Sequence, residues 1–155
     1  MQGKTHLVAG ALAGLLVVRI GSIPFDGGAQ LEVPLGVGVL YAGLAGLAAL
    51  VPDWLQVNIP GVKQIKGVFG HRGFSHWVWT ALGVGWLLWP TGLGLPVAVG
   101  WLSHIGLDAL SSGVPAFWPF GRLTVGRIHT GGRLDTFIGA AALVLAVAVS
   151  VSLGR

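Results

Sequence analysis

Apolar residues run through this chain in five long blocks: about Thr5 to Ile23, Val33 to Val51, Phe74 to Trp89, Leu93 to Leu110 and Leu134 to Leu153. Each block is near the ~20 residues that an α-helix needs to cross a bilayer. The two shorter ones, the third and fourth, would tilt little or sit beside thinned lipid. Proline punctuates the pattern. Pro34 fits the first turn of the second block, Pro52 marks its end, and Pro90 closes the third. Thr91-Gly92 leaves room only for a tight hairpin into the fourth block. A polar hairpin, Gly21 to Glu32, joins the first two blocks, and two longer connectors span 53–73 and 111–133. In the first connector Val62, Ile65 and Phe69 fall at helical spacing beside Lys63 and Lys66, as in a short helix lying in the membrane interface. The pattern predicts an all-α integral membrane protein: a single transmembrane domain, residues 1–155, built as a bundle of about five helices.

Composition sharpens this picture. Of the 155 residues 54% are hydrophobic and 9% charged, whereas soluble domains carry about 25% charged residues. The chain therefore lacks the polar surface to stand in water. The first block is rich in glycine and alanine, with Gly10 and Gly14 four apart, which suits close helix–helix approach. Met1-Gln2-Gly3-Lys4 leads into it without a small-residue cleavage site, so it reads as a retained helix. There is no cysteine. Disulfides and thiolate sites are excluded, and any metal must be held by His, Asp or Glu.

The formal charge of +4 is spread between the apolar blocks, which fits membrane topology and not a nucleic-acid footprint. With the N-terminus cytoplasmic, Lys4, Lys63, Lys66, Arg72, Arg122, Arg127 and Arg133 lie inside and only Arg19 and Arg155 outside. The reverse orientation violates the positive-inside rule. The sequence thus predicts a cytoplasmic (inner) membrane protein with its N-terminus in and its C-terminus out.

On that topology the ionisable residues gather at one depth. His6 begins the first helix, Asp53 ends the second, and His71 and His76 enter the third. His104 and Asp108 lie in the last turns of the fourth, and Asp135 opens the fifth. His104 and Asp108 are four apart and share a helix face, so both can reach one metal or the carboxylate can orient the imidazole. Gly73 permits a bend between His71 and His76. A set of His and carboxylate ligands without sulfur suits zinc, with manganese or iron as alternatives. Such an ion would polarise a phosphoryl or carbonyl oxygen and acidify a water. Arg72 could clamp a phosphate. Plainer readings stand beside these: Asp53 as a helix stop, Thr5 and Asp135 as caps, His129 as an ordinary loop residue, and the tryptophans and Phe117, Trp118 and Phe120 as interface anchors. An unpartnered His104 and Asp108 within an apolar block are costly, so they are the hardest to dismiss.

These residues also form a recognisable series. Lys4-Thr5-His6, Val51-Pro52-Asp53, His71-Arg72-Gly73-Phe74-Ser75-His76, Gly100-Trp101-Leu102-Ser103-His104-Ile105-Gly106-Leu107-Asp108 and Trp118-Pro119-Phe120 together resemble the LexA-regulated, membrane-bound metal-dependent hydrolase family. The resemblance covers about Lys4 to Phe120. It implies a small multi-pass bacterial membrane protein with a divalent metal, zinc foremost, in a hydrolytic site made of His6, Asp53, His71, His76, His104 and Asp108. Members of that family often continue the Pro-Asp motif with a further Asp and His. Here Trp54-Leu55-Gln56 follow, so a second metal site or an extra ligand from that loop is unsupported.

The resulting expectation is a metal-dependent hydrolase acting on a lipid phosphoester at the cytoplasmic leaflet. Its metal would be held by His71, His76, His104 and Asp108, with His6, Asp53 and Arg72 catalytic and Arg72 and Ser75 contacting the substrate. Membrane lipid is the expected partner. Two alternatives remain. One is a metal-free enzyme, since Ser103-His104 with Asp108 resembles the last motif of lipid phosphate phosphatases, although their basic first motif is missing. The other is a non-enzymatic membrane protein with structural His–Asp pairs.

Overall fold

The computed structural model describes residues 1–21, 34–55, 72–111 and 113–153. His71, the polar hairpin and most of the first connector, including Lys63 and Lys66, lie outside the described residues. The helices are α1 (Gly3–Gly21), α2 (Leu35–Ala48), α3 (Val51–Trp54), α4 (Val78–Leu87), α5 (Gly94–Ser111) and α6 (Arg133–Leu153), with 3-10 turns at Phe74–His76 and Trp89–Thr91. The protein is an all-α membrane protein. Among the described residues three helical stretches are long and apolar enough to cross a bilayer: Gly3–Gly21, Leu35–Trp54 and Arg133–Leu153.

The expected third span differs from the sequence pattern. Only Val78–Leu87, ten residues, is α-helical, a rise of about 15 Å against a hydrocarbon core of ~30 Å. The preceding residues tighten into the 3-10 turn Phe74–His76, and Trp77 is extended at φ −89°, ψ 138°. At the other end Pro90 sits inside a second 3-10 turn, and Gly92, at φ 77°, provides the left-handed residue that reverses the chain. Helix α5 has the expected length at 18 residues. Its lower half turns His104 and Asp108 inward, where both are buried.

Small residues set the spacing of the core. A Cβ on Gly10 would lie 2.6 Å from the Ala45 carbonyl oxygen of α2, and one on Gly14 would lie 2.6 Å from that of Tyr41. From the other side, a Cβ on Gly100 of α5 would collide with the same Ala45 carbonyl. Helices α1, α2 and α5 therefore meet backbone to backbone, the contact that small residues allow in lipid. The outer faces carry exposed Val39 and Leu40 on α2 and Phe137, Val144 and Val147 on α6, as a lipid-facing surface requires.

The second connector is strapped across the end of α5. Val114 and Leu123 form an isolated antiparallel bridge. Gly113 N donates to Asp108 O at 3.2 Å, Val125 N to Ala109 O at 2.9 Å and Ile128 N to Leu110 O at 3.0 Å. These bonds satisfy carbonyls that a helix C-terminus otherwise leaves without partners. Trp118 stacks on Trp77 with ring centroids 4.4 Å apart, and Val78 N donates to Ala116 O at 2.8 Å, which ties the strap to the start of α4.

The close packing gives a direct prediction. Gly100→Ala should destabilise the protein by roughly 1–3 kcal/mol through overpacking, whereas Gly106→Ala, which meets open space, should be neutral or stabilising by about 0.5–1 kcal/mol. Thermal unfolding of the two variants in detergent measures the contrast.

Candidate metal centre

Four elements deliver ionisable side chains to one end of the bundle. The helix stemming from α2 is interrupted between Ala48 and Val51, where Pro52 brings no N–H to the ladder. In this interruption the Ala49 carbonyl accepts a 2.7 Å hydrogen bond from His104 Nδ1. A carbonyl cannot donate, so His104 carries its proton on Nδ1 and aims Nε2 into the cluster. Asp53 follows one turn later in α3. His76 is presented by the 3-10 turn, which Trp101 Nε1 holds by donating to Ser75 O at 2.6 Å and Thr80 Oγ1 by donating to Phe74 O at 2.7 Å. Ser75 is buried. Its Oγ lies 3.0 Å from His76 Nδ1, where it orients the ring.

The ligand atoms converge. His104 Nε2 and His76 Nε2 are 3.1 Å apart. Asp53 Oδ1 lies 3.7 Å from each of them, and Asp108 Oδ2 lies 3.6 Å from His76 Nε2 and 3.8 Å from His104 Nε2. These separations bracket the edge of about 3.3–3.6 Å expected for a tetrahedral shell at ~2.0–2.2 Å. His6, fully buried at the start of α1, stacks on His104 with ring centroids 3.9 Å apart. Its Nε2 approaches Asp108 Oδ1 at 3.3 Å, but neither ring nitrogen makes a hydrogen bond. Two groups could hold an ion, His6–His104–Asp108 and Asp53–His76–His104. They share His104, whose second nitrogen is committed to Ala49, so one ion at a time is all that imidazole can serve.

The fit to a divalent cation rests on what surrounds the imidazole pair. A proton between His76 and His104 would satisfy those two nitrogens alone. A cation would satisfy them and balance the two carboxylates, all buried except the partly exposed Asp53, with the orphaned His6 beside it. Asp53 therefore marks the open side.

Other expectations take a different form here. Arg72 is turned inward, its Nε 3.2 Å from Asp108 Oδ2 and its Nη1 donating to Gly113 O at 3.1 Å. Its φ of 63° lies in the left-handed region, a strained choice for arginine that the two contacts hold in place. Asp135 stands apart from both candidate groups. Its Oδ1 accepts from Thr5 Oγ1 at 2.7 Å, and its Oδ2 from the N–H of Gln2 at 3.0 Å and of Gly131 at 2.8 Å. It is a latch between α6 and the beginning of α1, more than the cap of its own helix. Asp108 lies on the Nε2 side of His104, not behind Nδ1 where a phosphohistidine mechanism would place its carboxylate. Two contacts escaped the sequence: the Ala49 carbonyl on His104 Nδ1, and the amino group of Met1, 3.1 Å from Asp108 Oδ1.

Residues 1–154 match the YdjM inner membrane protein family. The chain belongs to that family. Over 98 residues it is 37% identical to the inner membrane protein YdjM of Escherichia coli (strain K12) and to that of Shigella flexneri, covering 55% of this chain and 50% of each relative. The chain thus spans about half the length of the curated relatives it matches. No solved structure matches it. Membership gives this YdjM-family chain an inner membrane location and names no reaction.

The Asp135 latch is open to measurement. A double-mutant cycle of Thr5→Val and Asp135→Ala, followed by thermal unfolding in detergent, should show a coupling of about 1–2 kcal/mol. Additive effects would mean that this bond contributes nothing to docking α6 on α1.

Proposed function

We propose that this protein is a membrane-embedded hydrolase with one divalent metal, zinc foremost, acting on a lipid phosphoester at the cytoplasmic leaflet. The observation that carries the reading is the 3.1 Å approach of His76 Nε2 to His104 Nε2, flanked by two carboxylates. Asp53, His76, His104 and Asp108 would hold the ion. When bound it supplies Lewis acidity toward a phosphoryl oxygen and toward water. Ser75 and the Ala49 carbonyl fix the two imidazoles from behind, as partners of ligating histidines do. His6, stacked on His104 and 3.3 Å from Asp108, would take a proton from an attacking water and return it to the leaving oxygen. The partly exposed Asp53 is the side from which a headgroup would enter. The resemblance to LexA-regulated metal-dependent hydrolases supports the same reading.

Metal analysis of the purified protein tests it. The parent should hold about one ion per chain and His104→Ala close to none, because a mononuclear site loses a principal ligand. His6→Gln should keep its ion and lose roughly 10²–10⁴-fold in phosphoesterase rate, the usual contribution of a positioned proton carrier. Full occupancy in His104→Ala would sink the assignment, and activity surviving strong chelation would favour the metal-free alternative.

One observation favours a second reading, a structural network without metal. Asp108 already faces Arg72, His6 and the Met1 amine, which balances its charge. Under that reading His104→Ala and Asp108→Ala would melt early while the parent holds no metal.

The orientation is part of the proposal. The end bearing the site also carries Lys4, Arg72, Arg122, Arg127 and Arg133, while Arg19 lies at the far end of α1. Helices α4 and α5 start and finish at the site-bearing end whether they cross the membrane or only enter it, so the short α4 leaves the charge argument intact. In this cysteine-free chain, Thr130→Cys should resist a membrane-impermeant thiol reagent in intact cells and Ser152→Cys should react.

A further inference from the structure

Beside the centre, two arginines from distant parts of the chain share one acceptor. Arg72 Nη1 donates to Gly113 O at 3.1 Å, and Arg122 Nη2 donates to the same oxygen at 3.3 Å. Two guanidinium groups on one carbonyl stand side by side, where like charges repel. Arg72 has Asp108 against its Nε. Among the described residues Arg122 has no carboxylate within ion-pair distance. The described carboxylates are all committed: Asp53 and Asp108 to the cluster, Asp135 to its latch. Local structure enforces the juxtaposition. The Val114–Leu123 bridge holds Arg122, next to Leu123, near Gly113, next to Val114, and Gly113, at φ 78°, allows Thr124 to pack where a Cβ would collide.

We propose that Arg122, with Arg72, forms a binding site for the phosphate of an anionic amphiphile at the rim of the centre. Planar guanidinium forks pair two-to-one with a tetrahedral oxyanion better than ammonium groups do. The apolar part of the ligand is accounted for by Phe117, Trp118 and Phe120, exposed on the same strap just before Arg122, in the manner of aromatic residues at a lipid interface. Asp108 links the two sites, because it touches both Arg72 and the imidazole cluster. The inference rests on the proposed function only in naming the bound phosphate as that of the substrate; the anion site stands without it.

The test uses the full chain in detergent, with dihexanoyl phosphatidic acid and inorganic phosphate as separate probes and metal content measured alongside. Arg122→Gln should weaken phosphatidic acid binding about tenfold or more, the loss expected for one charge-assisted hydrogen bond, with metal content unchanged. Arg122→Lys should recover only part of it. Arg127→Gln, which removes an equal charge five residues along the same strap, should bind as the parent does. If phosphatidic acid alone depends on Arg122, the ligand is the lipid; if inorganic phosphate depends on it equally, the site reads phosphate whatever carries it. Equal losses in Arg122→Gln and Arg127→Gln would reduce the effect to diffuse charge and overturn the proposal, as would unchanged binding in Arg122→Gln. A metal-free parent that still binds phosphatidic acid through Arg122 would overturn the hydrolase reading and leave this one standing.

Discussion

The hydrogen bond from His104 Nδ1 to the Ala49 carbonyl fixes more of this molecule than any other single contact. It engages a backbone carbonyl where the second helix breaks, and it decides which nitrogen of His104 faces the cluster. It can form only because α5 lies against α2 at backbone distance, which Gly100 makes possible at Ala45. A larger residue there would move the imidazole away from its carbonyl and from His76 together. Packing and chemistry are thus one constraint in this protein. The small residues that let helices associate in lipid also set the depth and orientation of the polar groups.

The periodicity and length of the apolar blocks were enough to place the helices, because a bilayer imposes a length on anything that crosses it. They misjudged α4. The block 74–89 is apolar throughout, but Ser75 and His76 are needed in a tight turn and Trp77 is extended, so the helix starts four residues late. Hydropathy records what a segment can dissolve in, not where hydrogen bonding to Trp101 and Thr80 bends it. The convergence of His6, Asp53, His76, His104 and Asp108 was legible because topology alone puts those helix ends at one depth. Asp135 shares the depth and turns elsewhere, since three donors from the chain start and its own entry loop compete for its carboxylate. Depth is readable from a sequence; the direction in which a side chain points is not.

Partners without a side-chain identity were the least legible. The Ala49 and Gly113 carbonyls each organise part of the polar end, yet neither residue type hints at it. Arg72 shows the consequence. Its place beside two histidines suggests a phosphate clamp; the structure adds that its Nε faces Asp108 and its Nη1 donates to the Gly113 carbonyl. Its position ties the buried carboxylate of Asp108 to the strap at Gly113.

Charge explains why such an arrangement is tolerated in so apolar a chain. Asp108 is one carboxylate among Arg72, His6, His76 and His104, and burying it without partners would cost several kcal/mol. The network satisfies it from several directions at once, which makes the carboxylate expensive to remove but leaves the imidazole nitrogens facing each other. Neither ring can shift alone, because Ser75 holds His76 while the Ala49 carbonyl and the stacked His6 hold His104. The contacts that fix these polar groups, Trp101 on Ser75 and His104 on Ala49, are also contacts that hold the bundle together.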